Sequence, residues 1–303
     1  MPHRSYITWV LTIPLLILAG TPSILAASIL QDESEGILLS SAQYDTVQYD
    51  DYITISDITS LIHRMGGLSV PPNFSVLHYT IEPEGTLAPD TILPVAEIIY
   101  VTDGSLSITT TDTTLVAARG TAVYIPPGTI RAFTNAENET LQFYSIIDQT
   151  PIPAEETRAE RNITPQEREP TTRIISEQDV SSLERGNIST NQTFTFSRLI
   201  HPSQGSYQIG FDLGTAHIPG GSGIPEHYIE QRSQLLTVLS GTGNISVGCQ
   251  EYPLQRGDTM YIAPGAVTNL TAFEDMHLLV ITYPYYEERY DISMPYACDY
   301  LYS

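Results

Sequence analysis

Residues 104–128, GSLSITTTDTTLVAARGTAVYIPPG, and residues 241–265, GTGNISVGCQEYPLQRGDTMYIAPG, carry one pattern twice. In the first stretch Gly104 and Gly120 lie 16 positions apart and Pro126, Pro127 and Gly128 follow; in the second Gly241 and Gly257 keep that interval and Ala263, Pro264 and Gly265 follow. Around these glycines the chain is cut into short β-rich runs, at 98–101 and 122–125 in one half and at 235–239 and 260–262 in the other. Glycine at such intervals supplies the positive φ that tight turns between antiparallel strands demand. Short strands at this spacing indicate a sandwich or barrel, and the recurrence of both intervals indicates a duplicated domain.

Working outward, the halves are expected to span 53–148 and 176–284. Asp57 to Leu61 (DITSL) and Asp179 to Leu183 (DVSSL) match one another and read as helical starts, each with an Asp cap. Residues 28–52 form an acidic, Tyr-dotted extension without a clear period. Residues 149–175, rich in Pro, Glu, Thr and Arg, read as an extended linker. The Tyr-rich tail, 285–303, is expected to pack against a barrel, because its aromatics would otherwise form a large exposed patch.

The composition excludes several functions. The 303 residues include 13 Lys plus Arg, all of them Arg, against 35 Asp plus Glu, for a net charge of -22. Such a surface repels phosphate backbones and anionic headgroups, so neither nucleic acid nor a membrane surface is an expected partner. Without Lys there is no Schiff base and no P-loop lysine. Two Cys cannot build a thiolate zinc site.

Residues 1–27 combine Arg4, an apolar run and a small-residue boundary at Ala26 and Ala27, the pattern of a signal peptide. Seven of the eight Asn open an N-x-Ser/Thr sequon: Asn73, Asn138, Asn162, Asn187, Asn191, Asn244 and Asn269. Asn162 is the poorer acceptor, because Pro165 follows its Thr164. Together these features predict a secreted or otherwise extracytoplasmic, glycosylated protein. In an oxidising compartment Cys249 and Cys298 could pair; two buried thiols are the equal alternative.

The paired glycine registers resemble the cupin family in its two-domain bicupin form. The first family motif, G-x5-H-x-H-x(3,4)-E-x6-G, is matched by Gly85, Glu97 and Gly104, then by Gly221, His227 and Gly241. The second, G-x5-P-x-G-x2-H-x3-N, is matched by Gly120, Pro126, Gly128 and Asn135, then by Gly257 and Gly265. The resemblance implies an all-β fold of two tandem double-stranded β-helix (jelly-roll) barrels.

It also implies a metal held inside each barrel by three His and one Glu, and here this sequence departs from the family. Thr91, Leu93 and Arg131 stand at the His positions of the first half, leaving Glu97; His227, Ile229, Gln234 and Thr268 stand at the four positions of the second. Arg is always protonated and cannot ligate a metal. One imidazole with an amide and a hydroxyl is too weak a set to retain a divalent ion against water. The expectation is therefore degenerate metal sites, no cofactor and no catalytic residues. The Arg131 guanidinium is expected to replace the metal as the partner of Glu97, the alternative being a side chain that extends to solvent at the barrel mouth. His227, Gln234 and Thr268 are expected to line a pocket for a neutral, hydroxyl-rich ligand.

A Glu226-His227 cluster with His217 and His277 is a weaker candidate for an unorthodox metal site. The function expected is an exported, non-enzymatic bicupin that binds a small polar or carbohydrate-like ligand or serves as a structural or storage-type module, with self-association through its sheets in reach. The alternative is a metal-dependent bicupin enzyme similar to ureidoglycine aminohydrolases, oxalate decarboxylases or dioxygenases. Three or more His and carboxylate groups converging inside a barrel would favour the enzyme.

Overall fold

The computed structural model describes residues 36–60, 62, 72–88, 92–111, 113–135, 137–149, 171–187, 192–204, 207–295 and 297–298. The expected signal peptide, residues 150–170 of the linker, Thr91, Asn162 and Asn191 lie outside them. Among the described residues the regular structure is almost entirely strand, in four antiparallel sheets. No helix among them is long and apolar enough to cross a membrane.

In the first half, a seven-stranded sheet runs in the spatial order Arg173–Ser176, Thr121–Ile125, Glu97–Asp103, Leu141–Asp148, Phe74–Ile81, Ile53–Asp57 and Asp45–Gln48. Thr86–Leu87, Arg131–Asn135, Ser105–Thr110 and Thr114–Ala118 form the sheet that closes the first barrel over it. The second half repeats the plan. Its seven strands are Gly36–Leu39, Thr259–Ile262, Ser233–Ser240, Met276–Tyr283, Asp212–Ile218, Gln192–Ile200 and Ser182–Asn187. Gln250–Leu254, Gly243–Val247, Thr268–Ala272, Gly223–Ile229 and Asp291–Ser293 make the smaller sheet.

The sequence pattern explains the layering. Along Glu97–Asp103, Ile99 and Val101 enter the interior of the first barrel with Ile108, Phe133 and Phe143, whereas Ile98 and Tyr100 point out the other side. The outward residues are also buried, because they meet Leu213, Leu279 and Ile281 of the second half; Phe74 and Phe211 come within 5.4 Å across this junction. A sheet covered on both faces needs a continuous apolar run instead of strict alternation, which is how 98–101 and 278–281 read.

The repeated glycines do the same work twice. Gly120 N–H donates to the Val101 carbonyl at 2.9 Å and Gly257 N–H to Val238 at 2.8 Å, with φ of 74° and 88°. Gly128 donates to Leu93 at 2.8 Å and Gly265 to Ile229 at 2.9 Å. Glu97 faces Ile125, and Gln234 faces Ile262, at matching registers of the two barrels.

Three segments differ from the sequence expectation. The extension over 28–52 contains strand: Gly36–Leu39 pairs with Thr259–Ile262 in the second barrel, and Asp45–Gln48 pairs with Ile53–Asp57 in the first. The linker's far end, Arg173–Ser176, pairs back onto Thr121–Ile125 of the first barrel. The halves thus exchange strands. Finally, only one of the two matched helical starts is a helix start. Asp57 Oδ1 accepts the Ser60 N–H at 2.9 Å at a helical turn, but the Asp179 copy ends a 3-10 turn, Glu177–Asp179, whose cap is Ser176, and Leu183 lies in a strand.

The described part of the Tyr-rich tail packs on the second barrel. Asp291–Ser293 pairs with Gly223–Ile229, and the Arg232 guanidinium lies 3.6 Å from the Tyr290 ring centroid while donating to Glu287 Oε1 at 2.8 Å. Cys298, beyond this strand, is disulfide-bonded to Cys249.

Candidate functional site

Inside the first barrel, Glu97 is 2% exposed and Arg131 Nε donates to its Oε2 at 2.6 Å. Ser145 Oγ donates to Oε1 at 2.6 Å, so both carboxylate oxygens are engaged. The guanidinium lies 5.5 Å from the Phe133 ring centroid, and Phe143 fills the remaining space by stacking on Tyr79 at 4.9 Å and meeting Phe133 edge-on at 5.6 Å. Asn135, the family's second-motif Asn, is buried and structural: its Nδ2 donates to the carbonyls of Ile81 (2.9 Å) and Glu139 (2.7 Å).

The second barrel brings His227, Gln234 and Thr268 to one cavity of about 80 Å³. Its other walls include Phe194, Phe196, Leu236, Ile262 and Val280, and two of its polar groups are turned toward the backbone. Thr268 Oγ1 donates to the Ser246 carbonyl at 2.8 Å, and His227 Nδ1 donates to the Pro225 carbonyl at 2.8 Å. The room expected for a hydroxyl-rich ligand is therefore small and mostly apolar, and the His227 and Thr268 donors are committed to the backbone. The apolar lining comes from the Phe pair of Gln192–Ile200, a strand the family motifs do not cover.

A larger space lies elsewhere. A cleft of about 800 Å³ opens between the two seven-stranded sheets, with Tyr44, His78, Tyr100, Gln142, Arg119 and Arg256 on its walls. Arg256 donates to Asp103 Oδ2 at 2.9 Å. Burial, outweighing Asp103, lowers the His78 pKa to about 4, so that ring is neutral at pH 7. His217 and His277 line the same cleft, on the face of their strands opposite to the barrel interior; they pair directly in register and their rings stack with centroids 3.9 Å apart. The sequence cluster of these two with Glu226 and His227 is therefore not formed. Their partner is Glu177, from the 3-10 turn that follows the exchanged strand.

Glu177 Oε1 accepts from Thr215 Oγ1 at 2.6 Å and lies 3.2 Å from Nε2 of both His217 and His277; Tyr100 OH donates to Oε2 at 3.1 Å. Burial would raise its pKa, but the hydrogen bonds from His217, His277 and Thr215 together outweigh burial and hold the carboxyl well below the ordinary range. Nothing in the sequence marks Glu177, one acid among many, and only the strand exchange brings it to the two His.

Two stretches of the chain, 77–147 and 214–282, match the cupin domain. One matched stretch lies in each barrel, so the fold is that of two cupin domains in tandem. Among solved structures it is similar to vicilin from Corylus avellana (hazelnut), at 14% identity with a TM-score of 0.66, over 86% of this chain and 88% of that one. It is also similar to protein Ylba from E. coli (13% identity, TM-score 0.63, 87% of this chain and 97% of that one). Oxalate decarboxylase from Bacillus subtilis, whose Mn(II) centres have been characterised, gives 13% identity and a TM-score of 0.63 over 85% and 79% of the two chains. Comparison with curated proteins finds no match.

Proposed function

We propose that this bicupin is an exported, glycosylated, non-enzymatic protein that binds a small polar or carbohydrate-like ligand in the cleft between its barrels. The observation that carries the reading is where space is found: the first barrel holds the buried Glu97–Arg131 pair among apolar side chains and the second a cavity of about 80 Å³, whereas the cleft offers about 800 Å³ lined by Tyr, His, Arg and Gln. Aromatic faces flanked by donors and acceptors suit hydroxyl-rich molecules. Glu97 with Arg131 in one barrel, and His227 with Gln234 in the other, fall short of the three converging ligands that a family metal needs, so neither barrel holds a transition ion. The likeness to a storage globulin such as hazelnut vicilin fits a non-catalytic role, and the likeness to oxalate decarboxylase keeps the enzyme as the competitor to be tested.

The export half of the proposal rests on the N-terminal pattern, the sequons and the Cys249–Cys298 bond. Asn138, exposed in the turn between Arg131–Asn135 and Leu141–Asp148, is the best-presented described acceptor, whereas Asn73, Asn244 and Asn269 are half-buried. A panel of mono- and oligosaccharides and polyols, read by calorimetry, tests the cleft: Gln142→Ala and Arg256→Ala should weaken binding at least tenfold, while His227→Ala leaves it intact. Loss in His227→Ala alone would return the site to the second barrel. Turnover of oxalate or ureidoglycine by the purified protein would overturn the non-enzymatic reading.

A further inference from the structure

We propose that Glu177, His217 and His277 hold one divalent transition-metal ion of the zinc type on the outer face of the second barrel, in the wall of the inter-barrel cleft. This site goes beyond the ligand-binding reading and stands without it. The first support is donor chemistry. Two imidazoles and a carboxylate, all three ligand atoms within 4.8 Å of one another, are a set that zinc and its neighbours take readily.

The second support is spacing. A tetrahedral ion with bonds of about 2.0 to 2.1 Å separates its ligand atoms by about 3.3 Å. Glu177 Oε1 lies 3.2 Å from each His Nε2, so both separations already suit an ion, and the stacked rings need only turn for their lone pairs to converge on it. Hydrogen bonding accounts for the arrangement poorly. A charge-assisted N–H to carboxylate bond draws in to about 2.7 to 2.9 Å. Oε1 would also have to accept from Thr215, His217 and His277 at once, three donors for two lone pairs. An ion uses the two imidazole lone pairs instead, leaving Oε1 with the metal and Thr215.

The third support is the surroundings. Thr215 and Tyr100 fix the carboxylate from both sides, the outer support that ligating groups characteristically have. His217, with 54% of its side chain exposed, sits at the open side of the site, so an ion can enter from the cleft and keep a fourth position for water or for an oxygen of a bound ligand. The net charge of -22 raises the local concentration of cations. At the corresponding register of the first barrel, Thr80 faces Gln142, so the His pair is particular to the second half and lies outside both barrel-lumen motifs.

The test is titration of the metal-stripped full-length protein with zinc by calorimetry, and with cobalt(II) followed by its visible absorption. The expected result is one equivalent bound in micromolar or tighter fashion with a tetrahedral cobalt spectrum. His217→Ala and His277→Ala, each checked for native melting, should weaken zinc at least a hundredfold, and Glu177→Gln should do the same while retaining the hydrogen-bonding shape. His227→Ala should leave zinc binding unchanged. Loss of binding in His227→Ala with retention in His277→Ala would place the ion inside the second barrel and overturn this site, as would absence of zinc binding at millimolar concentration. Neither result would touch the saccharide titration, which reads the ligand proposal by itself.

Discussion

Arg131 sets a permanent cation against Glu97 inside the first barrel, and the energetics of the pair follow from burial. Removing Arg131 leaves Glu97, 2% exposed, with the Ser145 hydroxyl and no countercharge. Arg131→Ala is expected to destabilise by about 3 to 5 kcal/mol in urea unfolding. The double change Arg131→Met with Glu97→Leu should recover most of that loss, because it removes the desolvated charges together. If the single variant costs under about 1 kcal/mol, the pair behaves as a solvated surface bridge. Asp212 offers the opposite electrostatic case. Burial raises its pKa to about 7 against the opposing influence of Arg198, the Tyr286 backbone and Thr282. Between about pH 4 and 7 the folded chain then retains a proton that the unfolded chain has released, so stability falls as pH rises through that window, by at most about 1.4 kcal/mol per unit. Asp212→Asn should flatten this slope, and unchanged pH dependence in that variant would refute the assignment.

At the scale of elements, the repeated strands and turns were legible because their physics is local. Glycine registers mark positive-φ turns, and apolar runs such as 98–101 mark buried strands. Gly36–Leu39 was not legible: four residues inside an acidic segment carry no period, and their strand character comes from pairing with Thr259–Ile262, more than 200 positions away. Separations of 40 and 100 positions likewise hid Glu177 from His217 and His277. His227, Gln234 and Thr268 line one cavity, because the motif fixes their register, but the phenylalanines that wall it come from a strand with no motif. Asp179 failed as a cap because the following Ser182–Asn187 finds a pairing partner in Gln192–Ile200, and tertiary pairing overrides a weak local preference. The tail depends on a long-range tie of another kind. The Cys249–Cys298 bond spans 49 residues and should contribute about 4 kcal/mol in the chain-entropy model. Paired Cys249→Ala and Cys298→Ala changes are therefore expected to lower the melting temperature markedly. A melting temperature within 1 °C of the parent would mean that strand Asp291–Ser293 and the Arg232 contacts hold the tail unaided.

The whole molecule behaves as one body because each barrel is completed by the other half. Gly36–Leu39 belongs in sequence to the first half and in space to the second; Arg173–Ser176 reverses that relation. Between them lies the apolar junction of Phe74, Tyr100, Phe211 and Leu279, crossed by hydrogen bonds from Gly210 N–H to Asp148 Oδ2 at 2.6 Å and from Gln208 N–H to the Tyr124 hydroxyl at 3.1 Å. Separating the halves would expose that junction and strip an edge from both seven-stranded sheets, leaving unpaired backbone groups where strands now pair. Covalent continuity across 150–170 should therefore be dispensable once the chain has folded. A protease site placed in that segment, cut after folding, is expected to yield two fragments that co-elute as a single species of about the parent size and part only in denaturant. The fragment beginning after the cut, expressed by itself, should be insoluble or poorly folded, since it lacks Gly36–Leu39. Adding that segment back as a peptide should restore cooperative melting. Fragments that separate in native buffer, each with its own sharp unfolding transition, would show instead that the exchanged strands decorate two independent domains.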